Sequence, residues 1–131
     1  MSHNVFTPPQ CSSHYSPIPV LHELASLYVE LHKIIREFEK LERYSIGVEI
    51  EKTLLSCIHE CFRATTFPSP THKLAAAVAA SAHFDTVKMF IRMTTRMSCM
   101  SEKQYVLILP HLAAIGAMLG GWIKELGKSK S

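Results

Sequence analysis

The sequence predicts an all-α protein, an antiparallel up-down-up-down four-helix bundle, on three observations. Apolar residues recur in steps of three and four along four successive segments, the spacing that gathers them on one face of a helix. No segment alternates apolar and polar residues at period two, as a half-buried strand would. The connections between segments are short, which makes consecutive helices antiparallel neighbours. At 131 residues, with 47% apolar and 19% charged side chains, the chain is long enough for one buried core and too apolar to remain unfolded.

Three regions are expected: a Pro/Ser-rich leader over residues 1–18, the bundle over 19–126 and a basic tail over 127–131. The leader shows little apolar periodicity and reads as disordered. It has neither the basic start nor the apolar run of a signal peptide. The four cysteines, Cys11, Cys57, Cys61 and Cys99, form no CxxC pair or zinc-type spacing. A cytoplasmic location with reduced thiols follows as the expectation.

Helix one is expected over about Val20 to Arg43. Leu21, Leu24, Tyr28, Leu31, Ile35 and Phe38 form its inward stripe, which Leu27, Ile34 and Leu41 widen. Ser45 is the candidate cap of helix two, which runs to about Arg63 with Ile46, Ile50, Leu54, Cys57, Ile58 and Cys61 inward. Gly47 in its first turn calls either for close approach by a neighbour or for tolerance near a helix end. Phe67-Pro68-Ser69-Pro70 breaks the chain, and Thr71 is the candidate cap of helix three, about 72 to 98. Its first half (LAAAVAASA) suits close helix packing; its second half places Phe84, Val87, Ile91 and Thr94 on one side.

Helix four opens on a capping box, Ser101 with Gln104, in which each side chain serves a backbone N–H of the first turn. From Tyr105 to Ile123 it has no charged side chain, so burial on several sides is expected. Pro110 removes one intrahelical hydrogen bond and is expected to kink the helix or free a carbonyl. The run falls slightly short of a membrane span, and its amphipathic companions need a partner, so no membrane is expected.

Catalytic constellations are missing from the sequence. No glutamate is followed three residues later by histidine, as a di-iron bundle needs, and no two histidines stand four apart. His59 points away from both Cys57 and Cys61 on a helix, so neither thiol gains a base. Gly120-Gly121 lies inside an apolar helix and cannot be a phosphate loop. No enzyme activity, metal or cofactor is expected.

What remains is charge. Residues 1–66 carry six basic and eight acidic side chains, a balance of −2; residues 67–131 carry eight and three, a balance of +5. Lys88, Arg92 and Arg96 stand in steps of four on helix three, where Asp85 is the only acid. Such a row suits phosphate groups, with counterion release supplying affinity. It equally suits a solvated face paired with glutamates of helix one or two.

Four ordered motifs then carry a resemblance. They are Arg43-Tyr44-Ser45-Ile46-Gly47 with Ile50; Phe84-Asp85-x-x-Lys88 with Ile91-Arg92; Ser101-x-Lys103-Gln104-Tyr105; and Ile115-Gly116-x-Met118-Leu119-Gly120-Gly121-Trp122-Ile123-Lys124. Over about residues 20–125 the chain resembles the bacterial four-helix-bundle family that includes the accessory variability determinant proteins of diversity-generating retroelements. The resemblance implies a non-enzymatic, homopentameric, barrel-like assembly. It further implies binding to nucleic acid, RNA or DNA, and to the retroelement reverse transcriptase in mutagenic cDNA synthesis. Its basic positions match Lys88, Arg92 and Arg96; Lys33, Arg36, Lys40 and Arg43 are candidate further basic contacts. The alternatives are a bundle protein of the ribosomal RNA intervening-sequence type and a purely structural self-associating bundle. A lone bundle covers only part of helix four, so Ile115, Gly116, Leu119, Gly120, Trp122 and Ile123 are expected at the oligomer interface.

Overall fold

The computed structural model describes residues 16–130. Among these residues there are four long helices and no strand: α1 (Ile18–Ile35), α2 (Val48–Thr66), α3 (Pro70–Arg96) and α4 (Glu102–Lys130). A single turn, Lys40–Glu42, and a π-helical turn, Arg43–Gly47, lead into α2, so the chain is helical from Lys40 to Thr66. α1 packs on α2 and α4, and α3 packs on the same two helices, so each helix has two neighbours in a helical bundle. Leu24, Leu27, Leu31, Ile50, Leu54, Phe84, Ile91, Ile108, Ile115 and Leu119 are the large, fully buried side chains at its centre.

The first helix ends at Ile35, eight residues before the expected boundary at Arg43. Glu37 N–H donates to the Ile34 carbonyl and Phe38 N–H to the Ile35 carbonyl, each at 3.0 Å. These three-residue bonds tighten the last turn. Glu39 then takes an extended conformation (φ −56°, ψ 150°) and ends the helix. Phe38 is 4% exposed, so its ring pins the turn to the core, whereas Leu41 is carried out to 76% exposure. Leu41 therefore does not widen the stripe of helix one. Within the helix Lys33 meets Glu30 at 3.4 Å.

Ser45 is not a cap. It lies inside the π-helical turn, where its hydroxyl donates to the Leu41 carbonyl at 2.8 Å. Gly47 is buried for the first of the two expected reasons, close approach. A Cβ built on it would lie 2.7 Å from Ile35 Cγ2 and 3.3 Å from the Glu42 carbonyl oxygen.

Ser69, not Thr71, caps α3: its side chain accepts from His72 N–H, and Pro70 occupies the first turn, where its missing N–H costs nothing. Ala76, Ala77 and Ala80 are buried, as close packing of the small-residue half requires, and α3 meets α2 more extensively than any other helix. α3 closes in a Schellman motif. Ser98 is left-handed (φ 63°), Cys99 N–H donates to the Thr94 carbonyl at 2.9 Å, and Ser98 N–H to the Thr95 carbonyl at 3.2 Å.

The Ser101–Gln104 capping box is formed, with both reciprocal bonds at 3.0 Å. Pro110 sits within α4, which runs on to Lys130, so residues 127–130 continue the helix and do not form a separate tail. Of the expected leader, residues 1–15, including Cys11, lie outside the described residues. α3 and α4 are long and apolar enough to cross a membrane by length and composition, a test that core helices of soluble bundles also meet.

Candidate functional site

The spacing of Lys88 and Arg92 turns both toward α4. There they line an open groove of about 760 Å³ with Asp85, Met89, Tyr105 and Leu109, floored by Leu112, Ala113, Gly116 and Ala117. The groove stays open at its floor because Gly116 has no side chain; a Cβ there would meet only the Phe84 ring, at 4.0 Å. Lys88 is not free, as the sequence line suggested: its Nζ stands 3.2 Å from Asp85 Oδ1 and 5.3 Å above the centre of the Phe84 ring. That carboxylate is mostly exposed, so the pair restrains the ammonium only weakly. Arg92 is exposed and has no ion-pair partner among the described residues.

Arg96 is set apart. It lines a second depression, of about 530 Å³, at the α3–α4 turn, where Glu37 and Glu102 also stand. The three cations thus share a helix but not a site: Lys88 and Arg92 form one, and Arg96 faces two carboxylates.

The other candidate basic residues gather at the opposite junction. Arg36 follows the end of α1 and Arg43 begins the π-helical turn. With His32, Tyr44 and Glu51 they line a small depression of about 170 Å³. Lys33 is outside it, paired with Glu30. Lys40 is exposed one turn before Tyr44.

The expected oligomer contacts need correcting. Ile115, Leu119 and Trp122 are 0%, 1% and 4% exposed within the single chain, so they belong to the bundle's own core. The face of α4 left open is one step around the helix. Val106 and Leu107 are 61% and 65% exposed, and Pro110, Ala113, Ala117, Gly120 and Gly121 are exposed with them. Gly116 and Ile123 are half-buried.

Cys57 and Cys61 are buried free thiols, and Cys99 is free and half-buried. The Cys57 thiol is pushed far up by its hydrogen bond with Cys61, then by burial and the Cys61 charge. Burial, then Glu42, pushes the Cys99 thiol up. Neither provides a thiolate nucleophile. Among the described residues no group of three or more His, Cys, Asp or Glu could hold a metal ion.

Two polar links escaped the sequence reading because their partners are far apart in the chain. Glu51 of α2 accepts from the Tyr28 hydroxyl at 3.1 Å and meets His32 Nδ1 at 2.9 Å, both on α1. His111 Nδ1 of α4 lies 3.1 Å from Glu23 Oε1 of α1. Only the helical spacing of Tyr28 and His32, which puts them on one face, hinted at the first.

Fold and surface together define a small helical bundle whose chemistry-bearing side chains are surface cations beside open apolar grooves. The chain belongs to the bAvd-like family, whose family model matches residues 20–126. This agrees with the resemblance to accessory variability determinant proteins carried by its four motifs. Neither a curated protein nor a solved structure matches the chain.

Proposed function

We propose that this protein is a non-enzymatic accessory factor of a diversity-generating retroelement. It binds template RNA or cDNA and docks the retroelement reverse transcriptase in support of mutagenic cDNA synthesis in the cytoplasm. The observation that carries the reading is the pair Lys88 and Arg92 on the α3–α4 groove of a bAvd-like chain. Phosphate oxygens favour the Arg92 fork, which has no competing carboxylate among the described residues. The apolar floor of the groove suits a protein partner more than a sugar–phosphate backbone.

The helices run up-down-up-down, and the bundles assemble into a homopentameric barrel through the uncharged outer face of α4 around Val106, Leu107 and Pro110. Exposed, charge-free helix faces of this extent favour a covering partner. No membrane takes part.

The test is replacement of Lys88, Arg92 and Arg96 together by alanine. Capture of the polymerase is expected to be lost and RNA binding at low salt to weaken, with helix content unchanged. Wild-type behaviour in both assays would refute the proposal.

A further inference from the structure

The depression where α1 turns into α2 combines features that the groove on α3 lacks. It is lined by Arg36 and Arg43, and the Arg43 guanidinium carbon lies 5.3 Å from the centre of the Tyr44 ring. The Tyr44 ring is presented to solvent, the residue being 66% exposed. Arg43 and Tyr44 lie in the π-helical turn Arg43–Gly47, a distortion that recurs at functional sites.

The charge balance there is unusual. Among the described residues Glu51 is the only carboxylate lining the depression, and both of its oxygens are taken, one by the Tyr28 hydroxyl and one by His32 Nδ1. Neither Arg36 nor Arg43 has an ion-pair partner among the described residues. Arg43 Nε is buried and has no hydrogen-bond partner among the described residues. Two guanidiniums beside an exposed aromatic ring are the elements of a single-stranded nucleic-acid site, phosphate on the forks and base on the ring. At about 170 Å³ the depression takes one phosphate-sized group, not a folded partner.

We infer that Arg36, Arg43 and Tyr44 form a second nucleic-acid site, which seats one phosphodiester of a single strand and stacks the adjoining base on Tyr44. It rests on the nucleic-acid reading above but uses different residues at a different junction. Selectivity for single strands follows from the ring, because a base within a duplex is already stacked and cannot lie on Tyr44.

The test measures anisotropy of a fluorescein-labelled single-stranded oligonucleotide, with a duplex in parallel, across a salt series. Proteins are the full chain, Tyr44→Ser, Arg36→Gln, Arg43→Gln, and Lys88→Ala/Arg92→Ala/Arg96→Ala, with light scattering on each. Tyr44→Ser is expected to weaken single-strand binding about tenfold, the loss of one stacked base, and to leave duplex binding unchanged. Each arginine change is expected to lower the salt slope by about 0.7, one phosphate contact on a single strand. The Tyr44 effect should persist in the triple-alanine background.

If the Tyr44 and arginine variants bind as wild type while the triple-alanine chain is weakened, this inference falls and the α3 site stands. If the reverse holds, the α3 site falls and the corner stands. A site for free phosphate alone would leave Tyr44→Ser without effect and overturn the inference. So would a change in assembly mass for Tyr44→Ser with unaltered binding, which would make the corner a self-contact. No binding of any oligonucleotide at low salt would remove both readings.

Discussion

Replacing Gly47 by alanine tests the junction on which the first half of the fold depends. In a helix interior this change ordinarily stabilises by about 1 kcal/mol, through backbone entropy. Here the new Cβ would lie 2.7 Å from Ile35 Cγ2 and 3.3 Å from the Glu42 carbonyl oxygen. Carbon atoms in contact sit at about 3.5–4.0 Å, so the overlap is close to 1 Å with the side chain, and the second neighbour is backbone. Ile35 is only 4% exposed and β-branched, so its methyl cannot swing away without displacing Phe38 or the core. Overpacking of this kind costs about 1–3 kcal/mol. With two contacts at once the upper half of that range applies, for a net loss of about 1–2 kcal/mol. For a chain of this size that lowers Tm by roughly 5–10 °C, measured by circular dichroism at matched protein concentration. The decisive control is Ile35→Leu, which removes the offending branch methyl at constant volume. It should recover most of the loss in Gly47→Ala/Ile35→Leu while doing little alone, a non-additivity expected only of touching residues. A Gly47→Ala protein that melts at or above wild type would refute the close approach of α1 to the π-helical turn.

Four further outcomes follow from the geometry. Ser98 holds a left-handed conformation that costs a non-glycine residue about 1–2 kcal/mol, so Ser98→Gly should raise stability by about 0.5–1 kcal/mol in urea denaturation; a loss would mean the serine side chain compensates. The Tyr28 phenol is pushed above its ordinary value of 10.0 by burial first, then by the Glu51 charge and hydrogen bond. Because its folded pKa is the higher, its contribution is complete below pH 10 and is lost as pH rises through the folded value; Tyr28→Phe should remove that alkaline loss, read from melting curves on both sides of pH 10. Leu119→Ala should cost about 2–5 kcal/mol as a core truncation, whatever the assembly state. Leu107→Glu, at a 65% exposed position, should instead leave helix content intact and reduce assembly mass by light scattering.

The bundle was legible in the sequence wherever a local rule acted alone. The Ser101–Gln104 box, the Phe67–Pro70 break and the inward row Phe84, Val87, Ile91 and Thr94 are short-range patterns, and each stands where it was expected. The misses lie where tertiary packing overruled the period. Leu41 continues the apolar spacing of helix one, but the core captures Phe38 and turns the chain at Glu39, leaving Leu41 in water. Ser45 has the composition of a cap, yet the helix already starts at Lys40 and the hydroxyl bonds backward to Leu41. On α4 an uncharged run has no polar back to show which face turns inward, so periodicity could not decide between Ile115 and Ala117. The neighbouring helices decided it, taking Ile115, Leu119 and Trp122 into the core. The cationic row on α3 was visible as a row, but spacing could not reveal that Asp85 restrains Lys88 or that Arg96 faces a different depression.

The formal net charge of +3 does not show which cations are left free, because several carboxylates are engaged in pairs within or between helices. Glu23 meets His111 and Glu51 meets Tyr28 and His32, so both serve to fasten α1 to its neighbours. Glu30 and Glu60 hold Lys33 and Arg63 within their own helices. Of the arginines, Arg36, Arg43, Arg92 and Arg96 are left without an ion-pair partner among the described residues. Arginine is the cation least able to shed its proton and best matched to phosphate oxygens in pairs. Two of the four stand at the α1–α2 corner beside an exposed ring and Arg92 stands with Lys88 on the α3–α4 groove, which separates a stacking contact from a groove contact, while Arg96 lines the depression at the α3–α4 turn. This division predicts that nucleic-acid binding divides into a salt-sensitive part carried by Arg36, Arg43, Lys88 and Arg92 and a salt-insensitive part that belongs to Tyr44.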